Sequence, residues 1–169
     1  MAAIALLDGL VSDDSIRTVA REFGGVEHRC EIVREADGVT YYNSSIDSSP
    51  ARTIACLSAF HGKVIAICGG YDKNLDYTPL AVPLSERAKA VILTGATAEK
   101  IKRALLEIVD EEKRPPIYYA SDIAEAVMIA KNISESGDKV VLTPASASFD
   151  AFKNFEERGR YFKACVNSL

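Results

Sequence analysis

The sequence has no tryptophan, two histidines and four cysteines, and it contains no long apolar segment. Its apolar runs are far shorter than the roughly 20 residues that cross a bilayer as a helix. It also lacks a block of lysine and arginine, and its 24 acidic and 20 basic residues give a net charge of −4. A membrane-spanning segment and a nucleic-acid-binding surface are therefore both disfavoured. No signal-peptide pattern is present at the N-terminus, so we expect a cytoplasmic protein.

The cysteines and histidines do not form a metal-binding pattern. No C-x-x-C pair occurs, and the two histidines, His28 and His61, are far apart in the sequence. A zinc site is not predicted, and no metal ligand is assigned. The sequence instead predicts buried or half-buried free thiols in a reducing compartment, at Cys30, Cys56, Cys68 and Cys165.

Several catalytic signatures are missing as well. The sequence has no G-x-x-x-x-G-K-[ST] phosphate loop and no G-x-G-x-x-G dinucleotide fingerprint. Both histidines come early in the chain, and neither a Ser-His-Asp order, a catalytic Cys-His pair nor a nucleophile elbow can be argued. We therefore assign no catalytic residue to this chain.

Hydrophobic periodicity predicts a single α/β domain that spans residues 1–169. The apolar start at residues 1–7 resembles a truncated helix, which suggests that the chain was cut from a longer protein. A helix at 12–23 is followed by strands at 30–34 and 39–42, which Asp37-Gly38 joins as a hairpin. Strands and helices then alternate, which favours a Rossmann-like open, mostly parallel sheet flanked by helices. The later strands are predicted at 64–68, 91–93, 117–119 and 139–142, and the later helices from Pro50, within 79–88, at 97–109 and 121–133, and from about Phe149.

Three of the predicted strands end in segments of small or hydroxyl residues, at 69–73, 94–97 and 143–148. Ligands of such sheets bind outside the carboxyl ends of the strands, so we expect a site where these segments meet. Residues 143–148 lead into the last predicted helix, whose free N–H groups favour an anion such as a carboxylate or a phosphate.

Each segment also has a simpler structural interpretation. Gly69-Gly70 would form a tight turn, Thr97 would cap one helix, and Ser48 or Ser49 would cap another. Residues 153–159 are typical of a solvated helix face. Only the convergence of the segments on one edge of the sheet favours a ligand site.

Four segments together resemble the C-terminal domain of the Mur ligase family. They are His28-Arg29-x-Glu31, the polar loop at 42–50, Gly69-Gly70-Tyr71-Asp72-Lys73, and residues 143–159, which read T-P-A-S-A-S-F-D-x-F-K-N-F-x-x-R-G. They occur in the family's order and span nearly the whole chain. Each is a weak signal alone, but the last is long and specific, and the combination strongly indicates the family.

The resemblance implies a role in peptidoglycan precursor synthesis, in the branch of the family that adds D-glutamate to UDP-N-acetylmuramoyl-L-alanine. In a full-length ligase an N-terminal domain binds the UDP-sugar and a central domain binds ATP and Mg²⁺, and both would be absent from this chain. ATP phosphorylates the carboxylate of the UDP-sugar substrate, and the amine of D-glutamate attacks the acyl phosphate. The C-terminal domain delivers D-glutamate, so it would be inactive alone and would bind D-glutamate only weakly.

By motif position, the resemblance also implies which residues contact D-glutamate. Lys73 and Ser48 would hold the α-carboxylate. Ser148 and the backbone N–H of Phe155 would hold the side-chain carboxylate, with Phe149 in the same site. A dianionic ligand needs this combination of a cation, hydroxyls and free N–H donors.

On the ATP side, the resemblance implies contacts from Arg29 and from the polar loop. The commonest form of this loop in the family reads Asn-Asp-Ser-Lys, whereas here Asn43 is followed by Ser-Ser-Ile. The acid and the lysine of the motif are missing, and Asp47 is the nearest acid that could substitute. The ATP-side candidates are Arg29, Ser44, Ser45 and Asp47.

Two other interpretations stay open. The chain could be the C-terminal domain of another Mur ligase or of folylpolyglutamate synthetase, which the dependence on the amino acid would distinguish. It could also be a stand-alone α/β ligand-binding module with no enzymatic parent. A Gly-Lys-Thr/Ser phosphate loop encoded upstream in the gene would decide against the stand-alone module.

Overall fold

The computed structural model describes residues 10–169, so the truncated helix predicted at 1–7 lies outside the described residues. No helix within residues 10–169 is long and apolar enough to cross a membrane. In chain order the elements are α1 Asp13–Glu22, β1 Glu31–Ala36, β2 Val39–Asn43, α2 Pro50–Ser58, β3 Val64–Gly69, α3 Ala81–Arg87, β4 Ala88–Thr94, α4 Ala98–Ile108, β5 Ile117–Tyr119, α5 Ile123–Ile133, β6 Lys139–Leu142 and α6 Phe155–Asn167. Short 3₁₀ turns lie at Thr78–Leu80 and Glu111–Lys113.

The strands form one six-stranded sheet in the order β1-β2-β6-β3-β4-β5. The β1–β2 hairpin is antiparallel and all other neighbours are parallel. The predicted mixed, mostly parallel sheet with an N-terminal hairpin is therefore confirmed. The last strand, β6, lies between β2 and β3, so the segments that follow these three strands emerge side by side at one edge of the sheet.

Helices cover both faces of the sheet, and β3 shows how the core is divided. All six β3 residues are buried, and alternate residues point to opposite faces, as expected for a strand in the middle of a parallel sheet. Ala66 and Cys68 face a cluster that includes Leu57 of α2, Leu84 of α3 and Leu105 of α4. Ile65 and Ile67 face the second cluster, which includes Val127 of α5 and Phe162 of α6. Each fully buried side chain of this size contributes about 1.5–3 kcal/mol relative to exposure.

The predicted start of the last helix is wrong. Helix α6 begins at Phe155, with Asn154 as its N-cap, rather than near Phe149. Residues 143–154 form an irregular turn in which Ala145 adopts a φ of +56°. The side chain of Phe149 is 56% exposed, so its apparent helical spacing with later aromatic residues did not reflect a buried stripe.

The two predicted caps, of α2 and α4, are confirmed in position but not in side-chain hydrogen bonding. Ser49 occupies the N-cap position of α2 and Thr97 that of α4, but neither side chain accepts a capping hydrogen bond. Ser48 precedes the N-cap position of α2. The hydroxyl of Thr97 instead accepts a hydrogen bond from the Gly70 N–H at 3.1 Å and contacts Ser146 Oγ at 2.8 Å. The Thr97 side chain therefore joins the turns after β3 and β6 instead of capping the start of α4.

Candidate functional site

The turns after β3 and β6 hold each other through main-chain hydrogen bonds. Gly69 N–H donates to the Pro144 carbonyl at 2.7 Å, and Tyr71 N–H donates to the Ala147 carbonyl at 2.9 Å. Gly69 has a φ of +113°, and a Cβ at this position would overlap the carbonyl oxygen of Thr94. Glycine is therefore required here both for the backbone conformation and for the close approach of β4.

A pocket of about 380 Å³ lies where these turns meet the loop after β2. All five residues proposed from the sequence to contact D-glutamate line it, although they come from three separate parts of the chain. Its lining is Ser48, Lys73, Ala147, Ser148, Phe149, Asn154, Phe155 and Glu156. Segments 69–73 and 143–148 thus meet at this pocket as predicted, whereas no residue of 94–97 lines it.

Lys73 supplies the positive charge of this pocket. Its ammonium lies 5.2 Å from the centroid of the Phe149 ring, where the ring face attracts a cation. Within residues 10–169, no carboxylate oxygen lies within 4.0 Å of this ammonium, because the adjacent Asp72 pairs with Lys100 at 2.7 Å. Lys73 is therefore available to bind an anionic ligand.

The start of α6 supplies neutral donors to the same pocket. Asn154 Oδ1 accepts a hydrogen bond from the Glu157 N–H at 2.8 Å. The N–H groups of Phe155 and Glu156 lie in the same first turn and have no intrahelical acceptor. The Ser148 side chain is almost fully buried beside them and makes no hydrogen bond to another part of the described chain. An acceptor such as a carboxylate would satisfy these donors, and the helix dipole would favour its negative charge.

Replacing Asn154 by alanine is expected to lower the free energy of unfolding by about 1 kcal/mol, because the side chain is an N-cap acceptor. Urea-induced unfolding of the two chains would measure the difference. Asn154→Asp retains the acceptor and serves as the matched control, with an expected change of less than about 0.5 kcal/mol. Equal losses in the two variants would contradict the capping role.

Arg158 is the residue that sequence reasoning missed. The prediction of a solvated helix face at 153–159 is wrong for Arg158, because only 2% of this residue is exposed. Its Nε donates to Ser45 Oγ at 3.0 Å and its Nη2 to the Ser45 carbonyl at 2.8 Å. Its Nη1 donates to the carbonyls of Ser146 and Ala147 at 3.0 and 2.8 Å. Burial lowers the pKa of Arg158 to about 10, and the nearby charges of Asp150 and Asp47 oppose this decrease, so the group stays protonated at neutral pH.

The sequence contained only a weak signal for this role. Arg158 belongs to the segment that carries the family resemblance, but its neighbours Glu156, Glu157 and Arg160 are equally polar. A charge pattern alone cannot separate one buried guanidinium from the exposed charges beside it on a helix.

A second pocket, of about 450 Å³, lies on the other side of the loop after β2. It is lined by Arg29, Cys30, Ser44, Ile46, Asp47, Arg52, Ala55, Cys56 and Ala59. Three of the four ATP-side candidates are therefore brought together. Ser45 is the exception, because its hydroxyl points inward, donates to the Phe155 carbonyl at 2.7 Å and accepts from Arg158.

Asp47 is the buried acid of this second pocket. Burial raises the pKa of its carboxyl group, while hydrogen bonds from Ser44 and Thr143 act in the opposite direction. Thr143 Oγ1 donates to Asp47 Oδ2 at 2.9 Å. The carboxyl group of Asp47 is therefore held in place by the turn after β6.

Within residues 10–169, the one group of potential metal ligands is Glu27, His28 and Glu31. The ammonium of Lys163 already lies 3.0 Å from a Glu27 oxygen and 2.6 Å from a Glu31 oxygen. Asn43 Nδ2 lies 2.9 Å from His28 Nδ1 and can only donate, so His28 Nε2 carries the proton. A metal ion would have to displace both this proton and the lysine, and we assign none to the group.

Comparison with known proteins identifies the family of this chain. A family model described as Mur ligase, glutamate ligase domain matches residues 28–146. A UDP-N-acetylmuramoylalanine–D-glutamate ligase of Clostridium perfringens is 50% identical over 170 residues, which cover 100% of this chain and 37% of the relative. A ligase of the same name from Acetivibrio thermocellus is 49% identical over 172 residues, again covering 100% and 37%. The chain thus spans just over a third of the length of these curated relatives.

Solved structures share the fold. A bifunctional folylpolyglutamate synthase/dihydrofolate synthase from Yersinia pestis, in complex with AMPPNP and a Mn ion, has a TM-score of 0.62 at 19% identity, covering 92% of this chain and 35% of its own. A murein peptide ligase from Psychrobacter arcticus has a TM-score of 0.58 at 12% identity, covering 90% and 32%. At these identities the likeness concerns the fold alone. The family model, which spans well over half of the chain, carries the assignment: the chain belongs to the Mur ligase family and corresponds to its C-terminal, glutamate ligase domain.

Proposed function

We propose that the chain binds and orients D-glutamate within an ATP-dependent ligase that adds this amino acid to UDP-N-acetylmuramoyl-L-alanine during peptidoglycan precursor synthesis. The observation that carries the proposal is the pocket of about 380 Å³ that joins a lysine cation, two serines and the free amides of a helix start. Its donors suit a small dianion. The names of the relatives at 49–50% identity support D-glutamate as that dianion.

Each end of D-glutamate would meet one part of this pocket. Lys73 and Ser48 would bind the α-carboxylate, and Ser148 with the Phe155 N–H would bind the side-chain carboxylate, beside the ring of Phe149. Holding both carboxylates fixes the amine between them. The amine then attacks the acyl phosphate of the UDP-sugar substrate as a near-unimolecular step, and phosphate leaves from the tetrahedral intermediate.

ATP would approach the second pocket, where Arg29 is exposed and Asp47 is buried. A guanidinium can bind phosphate oxygens bidentately. Mg²⁺ prefers several oxygen ligands, and the Asp47 carboxylate in this pocket is already engaged by Thr143. We therefore propose that the remainder of the full-length enzyme, and not this chain, holds Mg²⁺ and the reacting phosphates.

Substitutions of Lys73 and Ser148 in the full-length enzyme test the assignment. Lys73→Ala and Ser148→Ala are each expected to raise the KM for D-glutamate roughly 10- to 100-fold, because each removes a hydrogen bond to a charged group. The KM for ATP should stay within a factor of about two, because both side chains lie outside the second pocket. Steady-state phosphate release with each substrate varied in turn would measure both constants.

The matched control is Lys113→Ala, which removes an exposed lysine that lies outside both pockets and pairs with Asp110. It should leave the KM for D-glutamate unchanged. An unchanged KM in Lys73→Ala and Ser148→Ala would show that the pocket does not bind this substrate.

The rival candidate is another ligase of the same fold, which would add a different amino acid or act on folate. Measuring phosphate release with a panel of amino acids and with a folate substrate separates these cases. Turnover that depends on L-glutamate and folate, or on an amino acid other than D-glutamate, would replace the proposal.

A further inference from the structure

Two cysteines that are far apart in the sequence meet in the second pocket. Cys30 lies just before β1 and Cys56 lies in α2, yet their sulfur atoms are 3.2 Å apart. Both side chains line the pocket of about 450 Å³, so a small solute can reach them. A disulfide bond is about 2.05 Å long, which means that the sulfurs need to approach each other by only about 1 Å.

The two thiols differ in reactivity. The hydrogen bond between the two sulfur atoms, together with Ser44 and Arg29, lowers the pKa of Cys30, against the opposing effects of burial and of Asp47. The same contact and burial raise the pKa of Cys56. Cys30 is therefore the thiol of the pair that ionises more readily, and a thiolate is the nucleophilic form of cysteine.

The other two cysteines lack these features. Cys68 is fully buried, its pKa is raised to about 12, and its thiol donates to the Thr143 carbonyl. Burial also raises the pKa of Cys165. Selective oxidation is thus expected at the pair, because susceptibility follows thiolate character and exposure.

We propose that Cys30 and Cys56 form a reversible oxidation site for small peroxides. The Cys30 thiolate attacks one oxygen of hydrogen peroxide, the O–O bond breaks, and the departing hydroxide takes up a proton to become water. The resulting Cys30 sulfenic acid is then attacked by the Cys56 sulfur. The second hydroxide leaves with the Cys56 proton as water, so two thiols are oxidised and one peroxide is reduced to two waters.

The bridge would connect the segment before β1 to α2 across the second pocket. Cys30 follows directly after Arg29, and its N–H donates to Ser44 Oγ at 3.2 Å. Oxidation would therefore fix the main chain next to two of the ATP-side candidates. A dithiol reductant would reverse the modification by thiol–disulfide exchange.

Treatment of the purified 169-residue chain with hydrogen peroxide, followed by mass spectrometry, tests the proposal. We expect the intact mass to fall by two hydrogen atoms, the titratable thiols to fall from four to two, and peptide mapping to join Cys30 to Cys56. Dithiothreitol should restore all four thiols. A wild-type chain that keeps four thiols, or that forms a bridge through Cys165, would overturn the proposal.

Single substitutions separate the two roles. In Cys56→Ser, Cys30 should stop at the sulfenic acid, which dimedone traps. In Cys30→Ser, Cys56 should stay reduced at the same peroxide concentration, whereas Cys165→Ser should form the bridge as the wild type does. Equal dimedone labelling of Cys56 in Cys30→Ser would contradict the assignment of Cys30 as the reacting thiol, and the wild-type mapping decides the outcome even if one variant fails to fold.

Discussion

Replacing Arg158 by leucine is expected to lower the free energy of unfolding by about 3–5 kcal/mol. The guanidinium is almost fully buried and donates to four oxygen atoms, of Ser45, Ser146 and Ala147. Leucine supplies no donor, so the buried carbonyls of Ser45 and Ser146 are left unsatisfied, whereas the Ala147 carbonyl still accepts from the Tyr71 N–H. Each unsatisfied group costs about 1–3 kcal/mol. Urea-induced unfolding would give the change as a lower midpoint at an unchanged slope.

Arg160→Leu is the matched control for this substitution. Arg160 lies on the same helix but is exposed, so its replacement should change stability by less than about 0.5 kcal/mol. Arg158→Lys retains the charge but lacks the planar fork of donors, and it should recover only part of the loss. Arg158→Leu and Arg160→Leu with the same stability would show that the four hydrogen bonds are not needed.

Arg158 should also couple the two pockets in the full-length enzyme. The Ser45 main chain that it binds belongs to the loop between the pockets, and the Ser146 and Ala147 carbonyls belong to the turn that carries Ser148. We expect Arg158→Leu to raise the KM for both D-glutamate and ATP. An increase for only one substrate would assign Arg158 to a single pocket.

A second large effect is expected on catalysis, when the 169-residue chain is assayed without the rest of the full-length enzyme. With D-glutamate, ATP, Mg²⁺ and UDP-N-acetylmuramoyl-L-alanine, the 169-residue chain is expected to release no phosphate above the background without protein. The sequence has no phosphate loop, and the residues that line the pocket proposed for D-glutamate would position the amine without forming the acyl phosphate. A coupled phosphate-release assay would measure the rate, and measurable ligation by the chain alone would contradict the expectation.

Binding of D-glutamate to the chain alone should be weak, with a dissociation constant of roughly 1 mM or above. Lys73 is exposed and Phe149 is 56% exposed, so the pocket is open to solvent on the side of these residues. A titration followed by NMR shifts of the Ser148 and Phe155 amides would detect it, and L-glutamate is the matched control ligand. Shifts confined to residues far from this pocket would place the ligand elsewhere.

Much of the fold could be predicted because its signals are local. Capping residues, the Asp37-Gly38 turn and buried apolar runs act over a few residues, and they gave strand and helix bounds close to those observed. The start of α6 could not be predicted in this way. Phe149, Phe152 and Phe155 recur every three residues, which is compatible with a helix. The turn before them, however, is held by main-chain hydrogen bonds from Gly69 and Tyr71 to Pro144 and Ala147.

The candidate site was predictable to a similar degree. The family resemblance pointed to Lys73, Ser148 and Phe155, and these residues line one pocket. The inward orientation of Ser45 and the contact between Cys30 and Cys56 have no pattern in the sequence, and the buried charge of Arg158 has only a weak one. Each depends on the order of the strands in the sheet, and that order cannot be read from a single sequence.

The sequence by itself thus determined the α/β class, the family and the residue types that an anionic ligand needs, because propensity, turn chemistry and motif order are properties of short segments. Only the tertiary structure decided how these segments meet. The insertion of β6 between β2 and β3 brings the loop after β2, the turn after β3 and the start of α6 to one edge of the sheet. The physical reason is that pairing and burial of the strands act between residues as far apart as Tyr42 and Val141, and these long-range contacts position the site.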